Sequence, residues 1–139
     1  MMNREQQNSH DLISDYYAQF NAGNREAFLG LLHDEVAHDI NQGGREIGVD
    51  AFRAFMAKMD RCYREQLVDI VIMVNADGSR AAAEFVVLGE YLATDAGLPE
   101  AAGQTYRLPA GAFFEIRDGK VARISNHYNL QDWLTQVGA

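Results

Sequence analysis

Of the residues able to do chemistry in this 139-residue chain, His38 comes first. It alternates with Val36 and Ile40 along one face of a short strand. An imidazole, with a reference pKa of about 6.5, is the side chain best suited to take a proton near neutral pH. The plainer reading is a histidine satisfied by neighbouring backbone near a strand start. Tyr16 stands in an apolar helical stripe, where a phenol can donate to a ligand oxygen or simply pack with its hydroxyl at the rim. Asn126 and Tyr128 are the polar members of the inner row of the last strand. A buried amide must find partners, either in a ligand or pocket water or in the protein. Tyr91 shares its parity with Phe85 and Val87 and reads as wall rather than chemistry.

Other constellations point away from function. His33, Asp34, Glu35, His38 and Asp39 gather metal-ligating types. Helix end and strand would turn them apart, however, and no H-E-x-x-H or comparable spacing occurs, so no metal is expected. His127 and Asp39 fall on parities opposite to the inner rows, which suits structural roles or a subunit contact. Cys62 lies late in a helical segment without a nearby histidine and reads as an inert thiol. The G-x-S-x-G and P-loop patterns are absent, which disfavours covalent and phosphoryl-transfer chemistry. A net charge of −8 repels polyanions, so neither nucleic acid nor an anionic membrane is the expected partner. The single cysteine, the polar N-terminal segment and apolar runs too short to span a bilayer suggest a soluble, cytoplasmic protein.

The elements that must position these residues follow from periodicity. Leu12, Ile13, Tyr16, Tyr17 and Phe20 make one helical stripe over about Asn3 to Ala22, with Asn3 and Gln6 as a capping box and Gly23 as a left-handed stop. Asn24 caps a shorter helix that presents Ala27, Phe28, Leu31 and Leu32 on one face. From Val36 the period becomes two, and Gly43-Gly44 turns the chain into Arg45 to Val49. Asp50 is the expected N-cap of a third helix carrying Phe52, Phe55, Met56, Met59 and Tyr63. After Glu65 come four strands in an antiparallel meander, two of the turns being D-G pairs. Asn129 caps a last helical turn with Trp133 and Leu134. The facing inner rows are Leu108, Ala110, Ala112, Phe114 and Ile116 against Ala122, Ile124, Asn126, Tyr128 and Leu130. The whole, residues 1–139, is one α+β domain in which helices cover one sheet face.

This order, with the strings YYAQFNAGNREAFLGLLHDEVAHDI, GVDAFRAFM, FFEIRDGKVARISNHYN and LTQVG, resembles the nuclear-transport-factor-two-like superfamily, in its branch of ketosteroid isomerase and the SnoaL-like polyketide cyclases. The resemblance covers nearly the whole chain. It implies a cone of three N-terminal helices packed on a curved, mostly antiparallel sheet that encloses a pocket. In the isomerases such a pocket abstracts a proton beside a carbonyl with one carboxylate base, while a tyrosine and a protonated acid hold the enolate oxygen. Alignment on the N-A-G turn places Tyr16 at the tyrosine. It places Ile40 at the base, and the D-G-K turn places Ala112 at the second acid, so both carboxylates are missing. His38, one pleat before Ile40 on the same face, is the natural substitute.

The resemblance therefore implies an isomerase-like or cyclase-like activity on a small hydrophobic carbonyl compound, steroid- or polyketide-like, by proton transfer that needs no cofactor. His38 would be the base, with Tyr16 and either Asn126 or Tyr128 holding the oxyanion. Phe20, Ile40, Phe55, Met59, Phe85, Tyr91, Ala112, Asn126 and Tyr128 would line the substrate site. A binding protein of the same fold without catalysis is the alternative. In the strand from Arg80, Ala82, Val86 and Leu88 make the outer face apolar as well. Soluble monomers seldom expose such a face, and a back-to-back homodimer would cover it.

Overall fold

The computed structural model describes residues 1–138. Helix α1 (Arg4–Ala22) begins with the expected capping box, Asn3 and Gln6 each accepting from the other's backbone N–H, and ends at Gly23 with φ 73°. Helix α2 (Arg25–Leu29) follows under an Asn24 cap. Strands β1 (Leu32–Asp39) and β2 (Arg45–Ile47) form the small hairpin. Helix α3 (Val49–Cys62) returns the chain to the start of a meander of β3 (Tyr63–Val74), β4 (Arg80–Tyr91), β5 (Thr105–Arg117) and β6 (Lys120–Tyr128), and α4 (Leu130–Val137) closes the chain.

The six strands form one curved sheet in the order β2-β1-β6-β5-β4-β3. Neighbours are antiparallel except β1 and β6, which run parallel with Ala37 beside Arg123 and His38 beside Ile124. That pairing joins the early hairpin to the last strand. It carries His38 to the same end of the sheet as Asn126 and Tyr128. The helices cover the concave face, where Ile13, Tyr17, Phe28, Val36, Phe52, Phe114 and Ile124 form a common core.

Several boundaries differ from the periodicity. Leu31 and Leu32 leave helix α2, because Leu32 pairs in parallel with Val121 and the Leu31 carbonyl accepts from the Val121 N–H. Asp50 lies in the first turn of α3 and not at its cap. Gly48, with φ 101°, takes the corner and donates its N–H to the Val36 carbonyl, a backbone conformation that favours glycine. Tyr63 is the first residue of β3 and no part of the helical stripe, since its ring stacks on its cross-strand partner Tyr91. The turn of the small hairpin falls at Ile40–Gly43, with Gln42 at φ 60°. The register of β5 on β6 slips between Glu115 and Ile116, which pair with Arg123 and Val121, so Val121 and Ile124 both enter the core cluster and Ala122 does not. The last helical turn is a full eight-residue helix. Among the described residues no helix is long and apolar enough to cross a membrane.

Candidate functional site

Between the helices and the concave sheet face lies a cavity of about 750 Å³. Its helical wall comes from Phe20 of α1, Phe28 of α2, and Phe52, Phe55, Met56 and Met59 of α3. Phe85, Val87, Leu108 and Ala110 supply the sheet wall, and Ile40 closes the side beside β1. This is the apolar container that ligand sites commonly use, and a few polar groups converge on it.

His38 borders the cavity, only 2% exposed. Its ring stacks on Phe52 at 4.3 Å between centroids and meets Phe55 edge-on at 4.6 Å. Its Nδ1 has no hydrogen-bond partner, so neighbouring backbone does not satisfy it there. Burial among aromatics penalises the imidazolium and lowers the pKa to about 4, against a smaller opposite pull from Asp39. At neutral pH His38 is therefore uncharged.

Tyr16 is held among Phe28, Tyr17 and Phe114, with centroids at 4.5, 5.0 and 5.3 Å. The neighbouring Tyr17, passed over in the sequence, also borders the cavity, and its buried hydroxyl has no partner. Burial raises both phenols far above their ordinary range, so both keep their protons and are hydrogen-bond donors. Their adjacency in the α1 stripe was the available signal: consecutive residues near a helix stripe can both reach a concave wall.

Asn126 and Tyr128 line the cavity from β6, Tyr128 at the half-open rim. Tyr91 and Ala112 do not reach the cavity wall, which corrects the expectation for both. Tyr91 is wholly buried; its hydroxyl donates to the Pro99 carbonyl at 2.6 Å and accepts from the Asp95 N–H at 3.0 Å, fixing the loop after β4. Ala112 is sealed beneath the core, 1% exposed, too short to project past its neighbours. Asp39 pairs on the other side of β1 with Arg45 and Arg123, and His127 meets Ser125 and Phe113 there. Cys62 is buried.

Three acids that the sequence reading did not single out also border the cavity, of which Asp60 is held by Arg25. Asp95 is 7% exposed and has both oxygens engaged, by the Tyr63 hydroxyl at 2.8 Å and Lys58 Nζ at 2.9 Å. Glu65 accepts from the Tyr106 hydroxyl at 2.5 Å. Burial raises the Glu65 carboxyl, opposed by that hydrogen bond and by the Arg25 guanidinium. Neither carboxylate was legible because β3 begins earlier than its apolar pattern, so Glu65 looked like a helix end. Asp95 lies in what reads as a polar loop.

The cavity thus combines an apolar wall with a neutral imidazole, protonated phenols and a buried carboxyl. Among the described residues no group of three or more His, Cys, Asp or Glu has a metal-holding arrangement. Comparison with known proteins gives this geometry a family setting. The model of the SnoaL-like domain matches residues 13–124. A provisionally named polyketide cyclase from Pseudomonas putida KT2440 superposes with TM-score 0.93 at 64% identity, over 94% of this chain and 98% of that one. A second protein so named, from Xanthomonas campestris pv. campestris, gives 0.94 at 52%, over 96% and 99%. A third, from Silicibacter sp. TM1040, gives 0.94 at 49%, over 99% and 100%. No curated protein matches the chain.

Proposed function

The chain belongs to the SnoaL-like domain family, and on that premise we propose that it binds a small, largely apolar carbonyl compound of polyketide kind and moves a proton within it. The observation that carries this reading is the set of three buried, unpartnered polar atoms on residues that line the cavity, His38 Nδ1, the Tyr17 hydroxyl and Asn41 Nδ2. Buried polar groups cost free energy unless paired, so atoms left open on an apolar wall suit a ligand that brings a polar atom to them.

The chemistry follows from the charge states. Loss of a proton from the carbon next to a carbonyl leaves the C–H electron pair in a new C=C bond and moves the carbonyl π pair onto oxygen. Protonated phenols of Tyr16 and Tyr17, and a neutral imidazole N–H, stabilise that oxygen by donation without prior loss of charge. Return of the proton to another carbon is an isomerisation; attack of the enolate carbon on a second carbonyl closes a ring. His38 fits a hydrogen-bonding role better than the base role expected from sequence, since a group titrating near 4 is a weak proton acceptor at neutral pH. No step in this scheme calls for a cofactor.

The second reading, a binding protein without catalysis, is favoured by Ile40 and Ala112, which the resemblance places at the isomerases' two carboxylate positions. The bicyclic ketone 2-tetralone separates the two. Wild-type protein is expected to bind it and to speed exchange of its α-protons in deuterated buffer, followed by proton NMR. His38→Ala is expected to weaken binding about 10-fold, the scale of one buried hydrogen bond. Binding without exchange would replace the catalytic reading by the binding one, and absence of both would remove a small apolar ketone as the ligand class.

A further inference from the structure

Three residues in register across the sheet make an arrangement that ordinary packing does not need. Glu65 of β3 pairs with Gly89 of β4, and Gly89 pairs with Tyr106 of β5. All three lie on the concave side, where a side chain at the middle position would separate the outer two. Glycine leaves the position empty. The Tyr106 ring fills it: a Cβ built on Gly89 would fall 2.1 Å from the ring and 2.5 Å from the hydroxyl. The ring so placed reaches over β4 and donates to Glu65 Oε2 at 2.5 Å.

Tyr106 engages the Glu65 carboxyl at Oε2, and the residue borders the cavity. Asp95 has both oxygens occupied. We infer that Glu65 is the group that takes and returns the substrate proton, with Tyr106 as its positioning residue and Gly89 as the gap through which Tyr106 reaches it. The inference rests on the proposal that the cavity enolises a carbonyl compound. Glu65 as carboxylate takes the α-proton to become a carboxylic acid, and the C–H pair passes into the enolate. The same acid then returns its proton to carbon. In deuterated water the acid exchanges first, so deuterium enters the substrate.

The surroundings suit a carboxyl poised between its two states. Arg25 of α2 is the nearby cation, itself held by Asp60 of α3 at 2.7 and 2.8 Å. Tyr63 lies one pleat away on the same strand, Tyr128 faces the group from β6, and the Asp95–Lys58 pair lies at the loop after β4. Burial favours the acid form, whereas Tyr106 and Arg25 favour the carboxylate.

The test uses 2-tetralone exchange in the full chain. Glu65→Gln keeps an acceptor for the Tyr106 hydroxyl, and it is expected to lower exchange at least 100-fold, the lower end for general base catalysis, with binding retained. Tyr106→Phe keeps the ring and removes only the donor. Because the hydrogen bond favours the carboxylate, its loss is expected to move the pH midpoint of exchange upward by about one unit. Carbon-13 NMR of the Glu65 carboxyl, assigned by its absence in Glu65→Gln, gives a readout independent of activity and is expected to show the same upward move. Wild-type exchange in Glu65→Gln, or a midpoint unmoved in Tyr106→Phe by either measurement, would overturn the inference. If the wild type itself gives no exchange, the enolising proposal fails instead, while the carboxyl titration still decides whether Tyr106 governs Glu65.

Discussion

His38 and Glu65 border one cavity, and burial moves them in opposite senses: the imidazole loses its proton more readily and the carboxyl keeps its own longer. For His38 the sign of the effect on stability is definite. Its folded pKa of about 4 lies below the ordinary 6.5, so between these values the unfolded chain binds more protons than the folded one. Stability from this group is full above about pH 6.5 and is lost as pH falls toward 4. Denaturant titrations across that window are therefore expected to show a steeper loss in the wild type than in His38→Gln. Parallel curves would mean that His38 is protonated in place. The residue type was legible as a proton-active group from its alternation with Val36 and Ile40. What its ring stacks against was not, because Phe52 and Phe55 come from a helix whose packing on β1 no local pattern specifies.

At the scale of elements, the two D-G turns look alike in sequence and differ in the fold. Gly78 has φ 74° and Gly119 has φ 71°, both needing glycine's freedom. A Cβ on Gly78 would fall 2.7 Å from the Glu5 carbonyl oxygen, whereas nothing lies within 4 Å of one on Gly119. Helix α1 is seated on the first turn: Ser9 Oγ donates to the Gly78 carbonyl at 2.6 Å and Asn3 Nδ2 to the Ala76 carbonyl at 2.9 Å. Gly78→Ala is therefore expected to destabilise by about 1 to 3 kcal/mol more than Gly119→Ala, the scale of an overpacked contact, measured by urea denaturation. Equal losses would show that α1 yields without cost. The asparagine caps at Asn3, Asn24 and Asn129 and the D-G turns were readable here because their signals are local. The end of α2 at Leu29 and the start of β3 at Tyr63 were not, because Val121 and Tyr91, distant in sequence, compete for those residues.

Across the whole molecule the convex face of the sheet carries exposed Val71, Met73, Leu88 and Phe113, each at least 41% exposed. We propose that a second copy of the chain covers this face, as the double-sided apolar pattern of β4 led us to expect. Phe113→Glu is expected to give a monomer in sedimentation while leaving the cavity's ligand affinity unchanged; a wild type that sediments as a monomer would remove the proposal. The sequence by itself determined the element order, the caps at Asn3, Asn24 and Asn129, the inner row of β5 and a family resemblance, because these depend on periodicity and on short runs of residues. Only the tertiary structure decided that β1 lies parallel to β6, that Tyr91 and Ala112 stop short of the cavity, and that Glu65 meets Tyr106 across Gly89. The first and last of those facts join residues dozens of positions apart, and all three depend on which strand lies beside which and on how far each side chain projects from a curved sheet.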